Sequence, residues 1–398
     1  MRILFLHNAF PGQYRHLATE LARHHEVVFA SMGTGSLPGV RTVTYRQARK
    51  VRDETHPYLR WMEDAVLTGQ AVYRLCHGLK QRGFVPDVVC AHSGWGPALY
   101  VKEIFPQCRL VGYFEWFYRT SGGDADFLAP LGEDDRLRLA TRNASLLLDL
   151  AAVDIAVCPT RFQVGTFPER LRPLLSVLHD GVDTDYFTPA APEGEIVTYA
   201  TRGMEPYRGF PQFMRAAALI QRRRPNVRIV VAGDDRVVYG VRGESWKDRM
   251  LAELDGRLDL DRLHFAGTLP AEQYRALLQA SSAHVYLTVP FVLSWSLLDA
   301  MACGAPIVGS DTQPVREVID GGNGVLADFH SPEDLADKVV GLLEDRERAR
   351  ALGAAARATV EARYALKDLL PRHSALVTGS PPECAPGRDP SPACNPAR

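Results

Sequence analysis

Two arginines on a short segment in the second half of the chain are the strongest candidates for chemistry. Arg202 and Arg208 follow an apolar run typical of a buried strand and precede a helical pattern. Guanidinium groups suit a diphosphate because each can donate two parallel hydrogen bonds. The spacing therefore allows both side chains to converge on one anion and to stabilise charge that develops on it. The alternative is a pair of solvated loop arginines.

A second candidate site is the start of a helix near residue 294. An apolar strand pattern ends near Leu287, and Ser294 is a suitable N-cap for the helical pattern that follows. The first amide groups of a helix lack intrahelical acceptors and lie at the positive end of its dipole, which favours phosphate. Asp299, about one turn further on, could reach a ribose diol; a capped core helix with a solvated acid is the alternative. The residues expected to bind the donor here are Ser294, Trp295, Ser296 and Leu297.

These segments require strands and helices that alternate along the chain, and the hydrophobic pattern predicts them. Nearly continuous apolar runs are typical of strands that are buried on both faces of a parallel sheet. Strands are expected at 2–6, 27–30, 87–91, 109–114, 154–158, 196–200, 228–232, 263–266, 284–287 and 306–310. Helices are expected at 14–24, 56–82, from 97, and at 133–151, 211–223, 244–256, 270–280, 295–303, 331–344, 346–363 and 366–376.

This order predicts an α/β protein with two Rossmann-like, doubly wound parallel-sheet domains that face a central cleft. The linker candidate is the segment 179–194, in which Pro, Gly and Asp are dense. We expect an N-terminal domain at 1–185 and a C-terminal domain at 190–362. A helix at 363–379 is expected to pack back on the first domain, and 380–398 to be a disordered Pro-rich tail.

Composition and charge exclude several classes of protein. The chain has 398 residues and a formal net charge of -1, so it lacks the basic excess expected of a nucleic-acid binder. Its seven cysteines occur singly, which predicts neither a zinc site nor a disulfide framework. No G-x-G-x-x-G follows a strand, so a nicotinamide-dependent oxidoreductase is not expected.

The sequence also indicates where in the cell the protein is expected. No apolar stretch reaches the ~20 residues needed to span a bilayer, and no leader pattern opens the chain. We therefore expect a cytoplasmic protein. Peripheral contact with the inner face of a membrane is left open, as is the oligomeric state.

The run Leu298–Ser310, LDAMACGAPIVGS, resembles the signature of family-4 retaining glycosyltransferases, which have the GT-B fold. Arg202 and Arg208 are similar to the family's Gly-Arg and Lys-Gly pair, with arginine in place of lysine at position 208. In that family the pair stabilises the leaving diphosphate where other transferases use a metal ion. The resemblance therefore implies catalytic roles for both arginines, a nucleotide-sugar donor as substrate, no cofactor and no metal.

The resemblance implies further donor contacts. In the family's Glu-x7-Glu pair, the second Glu holds the ribose and corresponds to Asp299. The first Glu contacts sugar hydroxyls and corresponds to Phe291, a departure that leaves room for an unusual donor sugar or for weakened activity. Three glycines resemble those of the family's donor-pocket loops, although simple turns are the alternative. They are Gly12, Gly203 and Gly233.

Candidate acceptor residues follow two strands of the first half. His92 comes after the strand at 87–91, and Glu115 and Trp116 come after the strand at 109–114. An acid beside an aromatic ring suits a polyhydroxylated acceptor, whereas a structural ion pair is the alternative for Glu115. The resemblance is firm over about 155–345 and looser over 1–120.

Together with these residues, the family resemblance implies retaining, metal-independent transfer of a hexosyl unit from a nucleotide-diphosphate sugar to a hydroxyl group on a glycan, lipid or small molecule. Two alternatives keep the same fold. One is a catalytically weak binding or scaffold protein, and the other is a sugar-nucleotide epimerase.

Overall fold

The computed structural model describes residues 1–190, 194–239, 243 and 245–379. These residues form two α/β units, each built on one parallel sheet, which confirms the predicted two-domain architecture. The proline-rich tail predicted at 380–398 lies outside the described residues.

The first sheet has seven strands in the order β3-β2-β1-β4-β5-β6-β7, all parallel. The order reverses between β1 and β4, the point at which open sheets of this type leave a crevice at the strand carboxyl ends. The strands are β1 (Arg2–His7), β2 (Glu26–Ser31), β3 (Arg41–Thr44), β4 (Val88–His92), β5 (Arg109–Tyr113), β6 (Ile155–Cys158) and β7 (Leu175–Val177).

The second sheet has six parallel strands in the order β10-β9-β8-β11-β12-β13, and its order reverses between β8 and β11. Three edge strands were not predicted: β3, β7 and β13. They are short or polar, so they lack the long apolar run of a central strand. The second-sheet strands are β8 (Ile196–Gly203), β9 (Arg228–Asp234), β10 (Leu263–Gly267), β11 (Ala283–Tyr286), β12 (Ile307–Ser310) and β13 (Val325–Ala327).

Helices cover both faces of each sheet. In the first half they are α1 (Arg15–Leu21), α2 (Arg60–Gln81), α3 (Val101–Ile104), α4 (Glu133–Arg142), α5 (Ala144–Ala152) and α6 (Arg161–Thr166). In the second half they are α7 (Phe210–Arg223), α8 (Trp246–Glu253), α9 (Ala271–Gln279), α10 (Trp295–Ala302), α11 (Gln313–Arg316), α12 (Pro332–Glu344), α13 (Arg346–Arg363) and α14 (Leu366–Thr378). No helix among the described residues is long and apolar enough to cross a membrane.

The single helix expected at 133–151 is divided into α4 and α5 at Asn143. The Asn143 side chain accepts a hydrogen bond from the Tyr118 amide at 2.9 Å and donates one to the Tyr118 carbonyl at 2.8 Å. A side chain that bonds to the backbone of another segment in this way competes with regular helix geometry. The pattern of apolar residues does not report such a contact.

The strand β1 shows why the sequence folds into layers. Its side chains alternate between two cores: Leu4 packs in a cluster with Leu79 of α2, and Phe5 packs with Leu17 of α1. Because both faces are buried, the strand reads as a continuous apolar run. The last helix, α14, returns to the first domain and adds Leu369 to the second of these clusters.

Gly233 has a backbone conformation that suits glycine alone. Its φ is 137°, and an added Cβ would lie 2.2 Å from the Thr201 carbonyl oxygen on the neighbouring strand. We expect Gly233→Ala to lower the free energy of unfolding by about 2 kcal/mol or more, through strain and a backbone clash. Urea unfolding measures the change.

The matched control is Gly165→Ala in α6, where an added Cβ meets no atom within 4 Å. That change is expected to be neutral or to stabilise by up to about 1 kcal/mol, because alanine favours helix. Equal unfolding midpoints for the two variants would contradict the prediction.

Candidate functional site

In each sheet a crevice lies where the strand order reverses, and the two crevices open on one cleft of about 690 Å³. The first domain lines it with loops that follow β1, β4 and β5, and the second domain with loops that follow β8 and β11. Of the residues predicted as functional, the cleft wall contains Gly12, His92, Glu115, Arg202, Arg208, Ser294, Trp295 and Ser296.

Arg208 is the most firmly held charged group of this wall. It is 7% exposed, and its Nη1 donates to the Tyr286 hydroxyl, to Thr288 Oγ1 at 2.8 Å and to the Val292 carbonyl at 3.0 Å. All three acceptors are neutral oxygens. The guanidinium is therefore fixed in position without a direct ion pair to any described residue.

Arg202 is exposed at the end of β8, on the same wall of the cleft. None of the described residues forms an ion pair with it within 4 Å. The two arginines thus differ in mobility: Arg208 is packed and oriented, whereas Arg202 is free to turn toward a ligand. Both can bring positive charge to one anion in the cleft.

The start of α10 completes the second-domain wall of the cleft. Ser294 is its N-cap, and the Ser294 hydroxyl accepts a bond from the Ser296 amide at 3.3 Å. The Ser294 amide is itself held by the Tyr286 hydroxyl at 2.8 Å. This hydroxyl also contacts Arg208, so the helix start and the buried guanidinium share one anchor. Their joint arrangement provides a positively charged pocket suited to phosphate.

Glu205 is a residue that sequence reasoning missed. It is fully buried, and its Oε2 accepts bonds from the amides of Val238 and Tyr239, the latter at 2.7 Å. The Tyr239 ring lines the cleft and lies 5.3 Å from the Arg208 guanidinium carbon. Glu205 therefore fastens the loop after β9 beside the arginine pair. The available signal was an acid placed between the two arginines in the sequence.

The first-domain wall of the cleft is built on a chain of hydrogen bonds. His7 Nδ1 accepts from the Ala9 amide at 2.8 Å, so its Nε2 carries the proton and donates to Gln13 Oε1 at 2.8 Å. Gln13 Nε2 then donates to Glu115 Oε1 at 3.2 Å. The other carboxylate oxygen of Glu115 lies 3.8 Å from His92 Nε2. His7 and Gln13 were not predicted as site residues.

Burial and the proximity of His92 lower the pKa of His7 to about 3, so this imidazole is neutral near pH 7. Burial alone would raise the pKa of Glu115. The proximity of His92 and His7 and the hydrogen bond from Gln13 outweigh burial and lower that pKa. Glu115 is therefore ionised at neutral pH and serves as a hydrogen-bond acceptor.

Asp180 connects the first-domain wall of the cleft to the second-domain wall. Its Oδ2 accepts from the Tyr113 hydroxyl at 3.0 Å and from the Trp295 indole N–H at 3.0 Å. Tyr113 belongs to the first domain, whereas Trp295 is the first residue of α10 in the second. Burial raises the pKa of Asp180 to about 7. The sequence showed an acid in the interdomain turn but gave no sign of this bridge.

Phe291 lies in an aromatic cluster rather than on the cleft surface. Its ring centroid is 4.8 Å from that of Trp116 in the first domain and 5.0 Å from that of Tyr239. The cleft wall includes neither Phe291 nor Trp116, and Trp116 is buried. The predicted acceptor contact of Trp116 is thus corrected: its ring packs across the interface between the domains.

Four further predicted donor residues do not line this cleft, and their donor roles stay predictions. Asp299 is half-buried, accepts a bond from the Tyr274 hydroxyl at 3.3 Å, and has a pKa raised by burial to about 7. Leu297 is fully buried. Gly203 and Gly233 instead allow close backbone approach, because a Cβ on either would lie within 2.5 Å of a carbonyl oxygen.

Among the described residues, no group of three or more His, Cys, Asp or Glu side chains could hold a metal ion. On the second-domain wall of this cleft, the positive charge that faces an anion comes from Arg202, Arg208 and the start of α10.

Comparison with solved structures defines the fold class. Anabaena Alr3699/HepE in complex with UDP and glucose superposes with a TM-score of 0.69 and 16% identity, over 95% of this chain and 100% of that chain. Sucrose-phosphate synthase from Thermosynechococcus elongatus gives a TM-score of 0.72 and 16% identity, over 95% and 98%. The chain therefore has the GT-B fold that the sequence predicted.

Family models then specify the group. The model described as Glycosyl transferase family 4 group matches residues 23–187, and the model described as Glycosyl transferases group 1 matches residues 183–359. Together they span both domains. The chain belongs to this family of glycosyl transferases.

Two named glycosyltransferases are similar in sequence to parts of this chain. A GDP-mannose-dependent monoacylated alpha-(1-6)-phosphatidylinositol monomannoside mannosyltransferase of Corynebacterium glutamicum is 25% identical, over 58% of this chain and 63% of its own length. A D-inositol 3-phosphate glycosyltransferase of Mycolicibacterium smegmatis is 31% identical, over 45% of this chain and 42% of its own length. The matches thus span less than two thirds of these relatives.

The bridge at Asp180 predicts a specific dependence of stability on pH. Its pKa is about 7 in the folded protein and about 3.9 in the unfolded chain. Between these values the folded state holds the proton more tightly, so stability falls as pH rises from about 4 to 7. Asp180→Asn keeps an oxygen acceptor but cannot ionise. The variant should therefore lack the loss of stability that ionisation of Asp180 causes in the native protein.

Urea unfolding at pH 5 and pH 8 measures the effect. The stability of Asp180→Asn relative to the native protein should be higher at pH 8 than at pH 5. The control is Asp53→Asn at an exposed loop position, which should shift stability equally at both pH values. The same pH dependence in Asp180→Asn as in the native protein would show that this carboxyl does not titrate as described.

Proposed function

We propose that this chain transfers a hexosyl unit from a nucleotide-diphosphate sugar to a hydroxyl acceptor, with retention of anomeric configuration and without a metal ion. The observation that carries the proposal is that Arg202, Arg208 and the start of α10 line one cleft from the second domain. Two guanidinium charges match the two phosphate groups of such a donor. The names of the relatives, which include a GDP-mannose-dependent mannosyltransferase, support the same donor class.

In the proposed reaction, the bond between the anomeric carbon and the β-phosphate oxygen breaks while a bond to the acceptor oxygen forms on the same face. The acceptor proton passes to an oxygen of the departing phosphate. Arg208, held by three neutral oxygens, is oriented in advance toward the charge that develops there. Preorganised donors of this kind lower the barrier because they need not reorient during the reaction.

The acceptor is expected against the first domain, where Glu115, His92 and Gln13 meet at the carboxyl ends of β4 and β5. The ionised Glu115 can accept a hydrogen bond from a hydroxyl and so orient the acceptor. Closing the domains around both substrates would exclude water and limit hydrolysis of the donor.

Transfer from a panel of UDP-, GDP- and ADP-sugars to mixed hydroxyl acceptors tests the proposal, with the product examined by proton NMR before it can equilibrate. We expect one donor class to be used, a product with the donor's anomeric configuration, and rates within twofold after dialysis against EDTA. An inverted product contradicts retention. A strict requirement for added Mg²⁺ or Mn²⁺ contradicts the metal-independent step, and conversion of the donor without any acceptor indicates an epimerase.

Arg202 supplies a sharper test, because it faces the cleft without an ion-pair partner among the described residues. We expect Arg202→Ala to reduce kcat by about 10² or more, as removal of one group that stabilises transition-state charge commonly does. Release of the nucleoside diphosphate under saturating donor measures the rate.

The control is Arg236→Ala, which removes another exposed arginine of the donor domain. Arg236 pairs with Asp234 at 3.0 Å and is not part of the cleft wall. That variant should retain kcat within about threefold. Native rates in Arg202→Ala would remove this arginine from the proposed mechanism.

A further inference from the structure

We propose that the acceptor is a ring-shaped polyol that carries no phosphate or carboxylate group near its reacting hydroxyl. This inference rests on the proposed transferase function and names the acceptor class of the same cleft. It is argued from the opposite charges of the two cleft walls, from the partners of the acidic side chains, and from the aromatic surfaces beside them.

The charged residues of the cleft are divided between its walls. Among the described residues that line it, the second domain contributes Arg202 and Arg208 and no acid. The first domain and the linker contribute Glu115 and Asp180, with Arg15 as the one cation. The donor diphosphate thus has a positive wall, and the acceptor faces a wall where acids predominate.

Neither acid is neutralised by an arginine or lysine. Glu115 accepts from Gln13, with His92 Nε2 at 3.8 Å, and Asp180 accepts from a tyrosine hydroxyl and an indole N–H. A phosphate placed here would lose its hydration and meet the like charge of the ionised Glu115 in a partly enclosed site. Hydroxyl or ammonium groups would instead donate hydrogen bonds to the carboxylate oxygens.

Arg15 does not reverse this charge pattern. It lies exposed at the start of α1, and a solvated single cation binds a phosphate far less strongly than a convergent, desolvated pair. The acceptor wall has no second cation among the described lining residues with which Arg15 could form such a pair.

The aromatic surfaces favour a ring-shaped acceptor. Trp295 lines the cleft with 45% of its surface exposed, while its indole N–H is held by Asp180. Trp95 and Tyr113 line the same space. Rigid aromatic faces beside polar acceptors suit the apolar C–H face and the hydroxyl edge of a sugar or cyclitol ring.

The test offers the protein an equimolar acceptor mixture of glucose, glucosamine, glucose 6-phosphate, myo-inositol and inositol 1-phosphate, together with the active donor, and counts products by mass spectrometry. We expect products of the unphosphorylated members to exceed those of their phosphorylated counterparts by at least tenfold. Equal or greater use of the phosphorylated members would overturn the inference, as would failure of every member to react.

A thermal-shift titration with UDP and GDP separates this inference from the proposed function. Stabilisation by one of them, together with preferred use of phosphorylated acceptors, would contradict only the acceptor class. Absence of stabilisation together with absence of every product would contradict the transferase function itself.

Charge reversal at Glu115 gives a second measurement. Glu115→Lys should lower the ratio of unphosphorylated to phosphorylated products by at least tenfold. The control is Glu133→Lys, at an exposed acid of α4 outside the cleft wall, which should leave the ratio unchanged. An unchanged ratio in a folded Glu115→Lys protein, as judged by its melting temperature, would contradict the role of this carboxylate in selection.

Discussion

The burial of the Arg208 guanidinium among neutral oxygens is the interaction on which the second-domain wall of the cleft depends. A cation that is 7% exposed is costly to bury unless its N–H groups are satisfied, and here the partners are neutral oxygens of β11 and of the loop that follows it. Glu205, the acid nearest in sequence, binds the amides of Val238 and Tyr239 instead. The guanidinium is therefore held in place with much of its charge still available to a ligand.

Sheet topology determines which loops can meet around that charge. In each domain the strand order reverses beside the first strand of the sheet, so the loops after β1 and β4, and after β8 and β11, diverge to form a crevice. The two crevices open on one cleft. His7 and Ser294, which are far apart in the sequence, therefore line the same cleft. Neither domain contains the complete site by itself.

The sequence predicted the parts of this arrangement that depend on local pattern. Apolar runs identified the central strands, and the capping Ser294 and the spacing of the two arginines indicated a phosphate site. It did not predict contacts that depend on side-chain direction. Asp299 lies on the predicted helix but bonds to Tyr274, and Trp116 packs on Phe291 across the domain interface. A periodic pattern shows which face of an element is buried, not which neighbour covers it.

Two contacts between the domains join the second-domain wall of the cleft to the first-domain wall. The Trp295 indole bonds to Asp180 beside the acceptor wall, and Phe291 packs on Trp116. Both Trp295 and Phe291 belong to the segment that follows β11, which also holds Arg208 through the Val292 carbonyl. Any opening of the domains must therefore break contacts made by the segment that orients the donor-side charge. For this reason the structure couples the first-domain wall of the cleft to the segment that holds Arg208, and the chemistry proposed here requires that coupling.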